Sequence, residues 1–483
     1  MERSIQKTKS RSMRVLLLNP PWIKGFNRFS RWSSRSVSET LSEPLYLAYA
    51  TAVLERDTNA DVKLIDAFAL GWKLSELKRN LKKINPDLVV IESTTPSFED
   101  DMKTVKIIKN NTNAKIMLVG THGSVFPKET LRNNPIDIVA IGEYDYTVRD
   151  VVKNFNNLRR VKGIAFKKNG KIIKTSPRPL IENLDSLPFP ARHHLDMSKY
   201  RESNITKKIF ARMISSRGCT GRCIFCVFNF VYNNLRWRGR SAKNVVDEME
   251  HLINEYGIEY IYIDDDTFTI DKKRVHDICK LIIKRGINKK LSWGSLSRID
   301  TVNEKMLKTM VEAGCDLLVY GVESGDQNVL NNMKKGITLE QIRRVFKWTK
   351  KAGIRIHATF MFGSPGETKE TIRKTIEFAK ELNPDTAQFP ICMPYPGTEF
   401  YEIAKKNNWL KFNKWSDFYS ATDRAVIETP QLSRKDLEKA VKMAYKEFYM
   451  RPRFILKKLF SINSFSQFKE TIKGGFALLK SLR

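Results

Sequence analysis

Short apolar runs alternate with amphipathic segments through the first third of the chain. Each run is largely aliphatic on both faces, and helical spacing of apolar residues follows it, as over residues 42–56 and 98–110. Such runs are typical of parallel strands that are covered by helices on both sides. The five runs begin at Arg14, Asp61, Asp87, Ala114 and Asp137. The pattern therefore predicts an α/β fold with a doubly wound, flavodoxin-like or Rossmann-like domain over residues 13–155.

A second series of apolar runs and helical segments occupies residues 206–397. Six strands joined by right-handed crossovers would form a partial (β/α)6 barrel of the TIM type. The strand candidates are residues 209–214, 260–263, 291–296, 317–320, 354–360 and 386–391. In doubly wound sheets and in barrels, ligands bind at the loops that follow the strands. Candidate chemistry is therefore expected at the carboxyl ends of both sets of strands.

Two regions lack this alternation of strands and helices. Residues 156–205 are interpreted as a connector, in which Asn169-Gly170 predicts the turn of a β-hairpin. Residues 398–483 are predicted to be helical and basic. Over residues 449–483, apolar side chains recur at intervals of three or four among eight Lys or Arg residues and one Glu. Such a segment fits an anionic membrane surface, and packing of its apolar stripe on the barrel is the alternative.

Composition narrows the class of protein. The 483 residues are 41% hydrophobic and 29% charged, which is typical of globular proteins and excludes an intrinsically disordered chain. Six cysteines are too few for a disulfide scaffold, no apolar run is long enough to predict a transmembrane helix, and the basic N-terminus lacks the apolar core of a signal peptide. A cytoplasmic protein with reduced cysteines is expected. Its net charge of +32 indicates an anionic partner or a basic solvated surface.

The cysteine spacing is the strongest chemical signal. Cys219, Cys223 and Cys226 form a CxxxCxxC motif directly after the first strand candidate of the barrel. Three thiolates leave one iron of a [4Fe–4S] cluster open, whereas such clusters are usually held by four cysteines. A zinc site would need a fourth Cys or His nearby, and the next cysteine, Cys279, lies in a helical pattern. The motif therefore favours a [4Fe–4S] cluster, and the three cysteines outside it are interpreted as core residues.

This motif, with Phe225 before its third cysteine, resembles the signature of the radical SAM superfamily. In that family the open iron binds the amino and carboxylate groups of S-adenosylmethionine (SAM), and reductive cleavage of the sulfonium gives a 5′-deoxyadenosyl radical. The resemblance extends over the barrel and implies further SAM-binding residues at strand ends. They are Asp264, Asp265 and Asp266 beside the methionyl amine, Glu323 and Ser324 beside the ribose and methionyl carboxylate, and Gly363 and Pro365 beside the adenine.

A doubly wound domain before such a barrel resembles the cobalamin-binding subfamily, and is similar to the anaerobic magnesium-protoporphyrin monomethyl ester cyclase branch. The resemblance implies a cobalamin (B12) site at the strand ends of the first domain, and a domain that has lost this ligand is the alternative. The site residues would be Ser93, Thr94, Gly120, His122, Gly142 and Glu143. The familiar lower-ligand motif Asp-x-His-x-x-Gly reads DAFALG at residues 66–71, so Phe68 replaces the histidine. Bound cobalt would lack a histidine from this loop, and His122 is either a substitute ligand or a hydrogen-bonding loop residue.

The resemblance implies an enzyme that functionalises an unactivated carbon by methylation, C–C bond or ring formation, or oxidation. The expected substrate is a membrane lipid or isoprenoid, or else a tetrapyrrole, and the electrons would come from an external donor such as ferredoxin or flavodoxin. One alternative is a tRNA-modifying radical SAM enzyme, although nucleic acid is the less favoured partner. Another is a non-catalytic sensor, which would not produce 5′-deoxyadenosine. The expected location is the cytoplasm, with peripheral binding at the inner face of the membrane.

Overall fold

The computed structural model describes residues 11–21, 26–28, 33–35, 40–202, 209–232, 235–419 and 424–460. The predicted amphipathic pattern beyond residue 460 and the first residues of the predicted barrel, 206–208, lie outside these described residues.

The first domain is a helix-covered sheet. The strands of this domain are β1 (Arg14–Asn19), β2 (Phe26–Arg28), β3 (Ser33–Arg35), β4 (Asp61–Asp66), β5 (Leu88–Glu92), β6 (Lys115–Val119), β7 (Ile138–Ala140), β8 (Ile164–Lys168) and β9 (Lys171–Lys174), and β2 and β3 form a separate two-stranded sheet. Its helices are α1 (Leu45–Asp57), α2 (Leu74–Ile84), α3 (Phe98–Asn111), α4 (Thr121–Val125), α5 (Pro127–Asn133) and α6 (Asp145–Lys153). The seven-stranded sheet has the order β4-β1-β5-β6-β7-β8-β9, and its first five strands are parallel. Apolar clusters cover both faces, which confirms the doubly wound arrangement.

The predicted hairpin is present but has a larger role than a connector. Asn169 and Gly170 form its turn with positive φ values of 50° and 74°. Strand β8 pairs antiparallel with β7, so the hairpin extends the first sheet and covers the edge that β7 would otherwise expose. The rest of this region holds single 3₁₀ turns at Leu158–Arg160, Leu184–Ser186, Arg192–His194 and Met197–Lys199.

The second domain is an open barrel. Its strands are β10 (Phe210–Met213), β11 (Ser216–Arg217), β12 (Arg238–Gly239), β13 (Tyr260–Ile263), β14 (Ser292–Ser297), β15 (Cys315–Glu323), β16 (Arg355–Phe360) and β17 (Thr386–Gln388). Its helices are α7 (Val227–Val231), α8 (Ala242–Tyr256), α9 (Lys272–Lys284), α10 (Glu304–Glu312), α11 (Gln327–Asn332), α12 (Leu339–Lys351) and α13 (Lys369–Leu382), with 3₁₀ turns at Ile287–Lys289 and Ile299–Thr301. Six parallel strands follow the order β10-β13-β14-β15-β16-β17, and β10 does not pair with β17 in the described part of the chain. The partial (β/α)6 barrel is thereby confirmed.

The described part of the C-terminal region, residues 398–419 and 424–460, is largely helical, as predicted. It contains α14 (Glu399–Lys406), a 3₁₀ turn at Trp415–Phe418, α15 (Arg434–Tyr449) and α16 (Pro452–Phe460). Leu437 and Phe448 of α15 belong to the barrel core. The backbone N–H groups of Trp415 and Ser416 donate to the Glu99 carboxylate on α3, at 2.6 and 2.9 Å, so this region also contacts the first domain. No helix among the described residues has the length and apolar character to cross a membrane.

Candidate active site

The cysteine motif forms the loop between β11 and α7. The amide of Asn229 on α7 fixes this loop, because its Nδ2 donates to the carbonyl oxygens of Cys219 (3.0 Å) and Gly221 (2.9 Å). Its Oδ1 accepts the backbone N–H of Cys219 at 3.3 Å. Sequence reasoning missed Asn229, whose signal is only its place three residues after the last cysteine. The three thiols are therefore presented by a loop of defined shape.

The thiols fit a cluster better than a single metal ion. Cys219 and Cys223 are buried, and their sulfur atoms and that of Cys226 do not all lie within 4.8 Å of one another. Two thiolates on the same Zn²⁺ lie at most about 4.6 Å apart, twice the Zn–S distance of about 2.3 Å. Three free thiols on one loop suit a [4Fe–4S] cluster with one open iron. Burial, the Asp266 carboxyl and the two other thiols raise the pKa of Cys226 to about 12, so the Cys226 thiolate needs the positive charge that iron supplies.

A fixed cation faces the cysteine loop. The Nη1 atom of Arg298 lies 3.7 Å from Cys223 Sγ. Asp300 binds the same guanidinium through two contacts of 2.9 Å, and the carbonyl oxygen of Lys335 accepts a third hydrogen bond at 2.9 Å. A Cβ on Gly221 would lie 2.6 Å from Arg298 Nη1, so a larger residue here would displace the guanidinium. This arrangement places positive charge beside the proposed cluster; Arg298 was also missed from sequence.

The three aspartates after β13 brace the segment that leads into the cysteine loop. Asp265 is buried, and its carboxylate accepts hydrogen bonds from the backbone and hydroxyl groups of Ser215 and Ser216, at 2.6 to 2.9 Å. Asp264 pairs with Arg212 at 3.2 Å, and Asp266 accepts the backbone N–H of Gly218 at 2.8 Å. The structure thus departs from the expectation that all three contact SAM. Asp265 has a positioning role because both of its oxygens are engaged inside the protein.

Glu323 ends β15 with a left-handed backbone, φ 70°, directly after an irregularity in the pairing with β16. Its carboxylate receives a hydrogen bond from Lys335 Nζ at 2.6 Å, and both side chains are almost fully buried. The neighbouring Ser324 hydroxyl lies 3.2 Å from the Thr375 hydroxyl and accepts the backbone N–H of Asp326 at 3.1 Å. Ser324 is therefore engaged in fixing the turn, while Glu323 and Lys335 form a charged pair at the strand end.

The turn after β16 brings Gly363 and Pro365 together with an acid that sequence reasoning did not select. Gly363 has φ 93°, a conformation that favours glycine. The Glu367 carboxylate accepts the backbone N–H groups of Gly363 and of Ser364, and the Pro365 carbonyl accepts Asn332 Nδ2 at 3.1 Å. Burial raises the pKa of Glu367 to about 8. Phe225, on the cysteine loop, packs partly buried against the barrel core.

Four of the six residues predicted for cobalamin lie where ends of adjacent strands meet. Ser93 and Thr94 follow β5, Gly120 follows β6, and Gly142 follows β7. A Cβ on Gly120 would lie 2.2 Å from the Ser93 carbonyl oxygen, so the two strand ends touch. The buried Ser93 hydroxyl has no hydrogen-bond partner among the described residues, and a Cβ on Gly142 would meet open space. An unpaired buried hydroxyl beside small residues fits a bulky, polar ligand at this edge.

The His122 side chain packs among aromatic side chains and does not face that edge. Its ring stacks on Phe98 with centroids 3.9 Å apart, and Trp415 contacts it edge-on at 5.3 Å. Its Nδ1 lies 3.4 Å from the Thr95 hydroxyl, and burial lowers the pKa of His122 to about 3. This placement supports the loop-residue alternative over the ligand alternative for His122.

Glu143 joins the two domains instead of facing the ligand edge. Its carboxylate accepts a hydrogen bond from Arg217 Nη1 at 3.1 Å. It also accepts two hydrogen bonds of 2.9 Å from Arg238, and all three side chains are buried. Asp145 binds Arg217 through contacts of 2.8 and 3.0 Å. Arg217 and Arg238 are paired positions of β11 and β12. The expectation that Glu143 contacts cobalamin is therefore replaced by a structural role, because these cations and the N–H of Ile181 occupy its oxygens.

Comparisons with known proteins agree with this architecture. Residues 213–379 match the family described as the Radical SAM superfamily, and residues 35–152 match the B12 binding domain. The uncharacterized methyltransferase PH0819 of Pyrococcus horikoshii is 37% identical over 467 residues, which cover 96% of this chain and 98% of that protein. The anaerobic magnesium-protoporphyrin IX monomethyl ester cyclase of Cereibacter sphaeroides is 29% identical over 84% of this chain and 67% of its own length.

A solved structure shares the whole fold. The structure of the radical S-adenosylmethionine methyltransferase TsrM from Kitasatospora setae, with cobalamin and a [4Fe–4S] cluster bound, covers 98% of this chain and 100% of that chain. Its TM-score is 0.71 at 16% sequence identity. The chain thus belongs to the cobalamin-binding radical SAM family. It is an enzyme, and its cofactors are a [4Fe–4S] cluster, SAM and cobalamin, as the resemblance implies.

Proposed function

We propose that this enzyme transfers a methyl group to an unactivated carbon of a small molecule. When bound, cobalamin would carry a methyl group taken from one SAM molecule, and the cluster would deliver the electron that cleaves a second. The name of the 37% identical relative, a methyltransferase, supports this choice over ring formation. An external donor, such as ferredoxin or flavodoxin, would supply the electrons.

The buried contact of Arg217 with the first domain carries the proposal. Arg217 is two residues before Cys219, and its guanidinium pairs with Glu143 and Asp145 where β7 leads into α6. The edge proposed for cobalamin and the loop proposed for the cluster are therefore fixed against each other by the same side chain. Such a junction suits a reaction in which both cofactors act on one substrate.

The residues of the barrel would bind the cluster and SAM. Cys219, Cys223 and Cys226 would bind iron, and Arg298 would balance the charge of the reduced cluster. Glu323 would hold the ribose and methionyl end of SAM, with Lys335 keeping its carboxylate in place, and Asp264 and Asp266 would face the methionyl amine. Gly363 and Pro365 would lie beside the adenine, with Phe225 on the cysteine loop.

Stoichiometry tests the reaction type. The anaerobically prepared, cluster-loaded and cobalamin-loaded enzyme is mixed with SAM, a reductant and a lipid extract from a deletion strain. Methyl transfer consumes one SAM as methyl donor and another as radical source, so S-adenosylhomocysteine and 5′-deoxyadenosine should form in equal amounts. Ring formation or oxidation would yield 5′-deoxyadenosine alone and would contradict the proposal. Untargeted mass spectrometry of the extract identifies the product by its gain of one CH₂.

We further propose a lipid or isoprenoid substrate, reached from the inner face of the membrane. Helix α16 exposes Ile455, Leu456 and Phe460, which are 40%, 52% and 85% accessible. Phe454 on the same helix packs on Phe448 and Tyr449, so the exposed side chains lie on a face that the described residues leave uncovered. Apolar side chains on a basic helix, in a chain of net charge +32, suit the interface of an anionic membrane.

Vesicle binding tests the membrane proposal. The full-length holoenzyme should sediment with phosphatidylglycerol vesicles and not with phosphatidylcholine vesicles, and added salt should release it. Leu456→Glu should weaken sedimentation at least several-fold. Val311→Glu on α10, which replaces another exposed apolar residue, is the matched control and should bind like the wild type. Equal binding of all three proteins would contradict the role of α16.

A further inference from the structure

A cluster of metal-ligating side chains lies outside the active site, where α1 meets the 3₁₀ turn Arg192–His194. The Nε2 atoms of His193 and His194 lie 3.0 and 2.8 Å from the same oxygen, Oε1 of Glu55. The rings are close neighbours, with centroids 4.5 Å apart. Within the described chain this is the one trio of His, Cys, Asp or Glu residues whose ligand atoms all lie within 4.8 Å of one another.

The fold accounts for this convergence. Arg192, directly before the two histidines, is fully buried and pairs with Glu43 (3.0 Å) and Glu248 (2.8 Å). That anchor fixes the turn over α1 and orients both imidazoles toward Glu55. The cation nearest in sequence, Arg56, is directed elsewhere, to Asp57 and to the carbonyl oxygen of Ser186, each at 2.7 Å.

We propose that Glu55, His193 and His194 bind a divalent transition metal ion of the Zn²⁺ class. Two neutral imidazole nitrogens and a carboxylate are ligands that such ions prefer, with bond lengths near 2.0 to 2.2 Å. Ligand atoms separated by 2.8 to 3.0 Å can share an ion at that distance, while Ca²⁺ and Mg²⁺ favour sites built of oxygen. Glu55 and His193 line the same open groove as His251 and Glu255 of α8.

The site would clamp the connector onto the first domain. Glu55 belongs to the first domain, whereas the histidines lie on the segment that leads to the barrel. A metal ion bound to both would hold that segment on α1 and stabilise the folded chain by its binding free energy. The inference concerns a structural ion and is independent of the proposed methyl transfer.

Zinc titration tests the clamp. ZnCl₂ is added anaerobically to the full-length, cluster-loaded protein at pH 7.5, and calorimetry gives the stoichiometry and affinity. His193→Ala and His194→Ala should each weaken the specific site at least about tenfold and remove one Zn²⁺ per chain from the tight-binding count. His276→Ala on α9, where the structure places no metal-binding trio, is the matched control and should titrate like the wild type.

A second variant separates metal binding from the hydrogen bonds. Glu55→Gln retains an oxygen that can accept from an imidazole N–H but loses the charge that a cation needs. Zn²⁺ should raise the Tm of the wild type and of His276→Ala, and leave that of Glu55→Gln unchanged. Identical zinc titrations of the wild type and the three site variants would show a hydrogen-bonded trio only and overturn the proposal.

Discussion

A single guanidinium has the geometry to tune the proposed cluster. Adding an electron to a thiolate-bound cluster increases negative charge beside Arg298, whose Nη1 is 3.7 Å from Cys223 Sγ. A nearby cation therefore stabilises the reduced form. We expect Arg298→Met to retain the cluster and to lower its reduction potential by about 60 mV, a tenfold change for one electron. A redox titration followed by paramagnetic resonance measures it.

The cysteine loop itself contains an arginine, Arg222, that provides a control for the charge effect of Arg298. Arg222 is exposed and lies between two of the cysteines. Arg222→Met removes an equal charge from the loop, where water screens it, and should change the potential much less. Equal reduction potentials of Arg298→Met and the wild type would show that Arg298 does not tune the cluster.

Glu323 is predicted to bind SAM and not iron. Glu323→Gln keeps an acceptor for Lys335 Nζ, so it avoids leaving that buried cation without any partner. We expect a wild-type iron content and a SAM affinity at least about tenfold weaker, because a charged hydrogen bond is lost. Equilibrium binding of SAM to the cluster-loaded protein measures it. Glu381→Gln, at an exposed ion pair on α13, should bind SAM normally, and unchanged affinity in Glu323→Gln would exclude this role.

For single residues, the sequence predicts which positions carry the chemistry better than it predicts which residues they contact. The spacing of the cysteines is local, so Cys219, Cys223 and Cys226 could be selected without a structure. The roles of Asp265 and Glu143 depend on Ser215 and Arg217, which lie 50 and 74 residues away. No periodicity or spacing in the sequence carries that information, because the fold alone decides which strand ends meet.

The turn after β16 is the element whose stability should respond to pH. Burial holds the pKa of Glu367 at about 8, above its ordinary value of 4.5, so the folded protein retains a proton that the unfolded chain releases. The stabilising contribution is complete below pH 4.5 and is lost as the pH rises through 8. Between these limits, the stability of the wild type relative to Glu367→Gln should fall by up to about 1.4 kcal/mol per pH unit.

Thermal unfolding of the two cluster-loaded proteins from pH 5 to 8.5 checks this expectation. The glutamine carbonyl can accept the same two backbone N–H groups, from Gly363 and Ser364, and it does not titrate. The Tm of the wild type should therefore decline relative to that of the variant as the pH rises. Parallel Tm curves would show that Glu367 is already ionised in the folded protein.

The residues that follow β4 and β6 predict that no protein histidine binds the cobalt of cobalamin. Phe68 occupies the usual histidine position after β4, and His122 after β6 is enclosed by Phe98 and Trp415. We therefore expect that the Co(II) resonance of the cobalamin-loaded protein shows no nitrogen splitting from a protein imidazole. Phe68→His restores the motif and should introduce that splitting. A nitrogen splitting in the wild type that disappears in His122→Ala would contradict the placement of His122.

The elements themselves were largely predictable. Strand β13 occupies residues 260–263, as its short apolar run predicts, and helices α8 and α13, in the predicted series of helical segments, each bury one regular face. The role of the β8–β9 hairpin was not predictable. Its turn is encoded locally by Asn169-Gly170, but its pairing with β7 depends on which sheet edge is free in three dimensions.

Across the whole molecule, buried ion pairs join the two domains at several points. Arg192 links Glu43 on the first domain to Glu248 on α8, and Arg217 links Glu143 and Asp145 to the strand that precedes the cysteines. Removing one partner from a buried pair leaves an unpaired charge, which costs about 3 to 5 kcal/mol. The relative position of the two cofactor sites therefore depends on a small number of arginines that the net charge of the chain does not reveal.

Arg217→Lys should uncouple the two sites while keeping a positive charge for Asp145. Lysine cannot reproduce the two parallel contacts that the guanidinium makes, so the cluster loop loses its fixed orientation against the first domain. We expect near-normal iron and cobalamin contents, a weaker magnetic interaction between Co(II) and the reduced cluster, and more 5′-deoxyadenosine per S-adenosylhomocysteine. Arg236→Lys alters an exposed pair with Glu182 and should leave all three unchanged. An unaltered ratio and magnetic interaction in Arg217→Lys would mean that other contacts set the geometry between the cofactors.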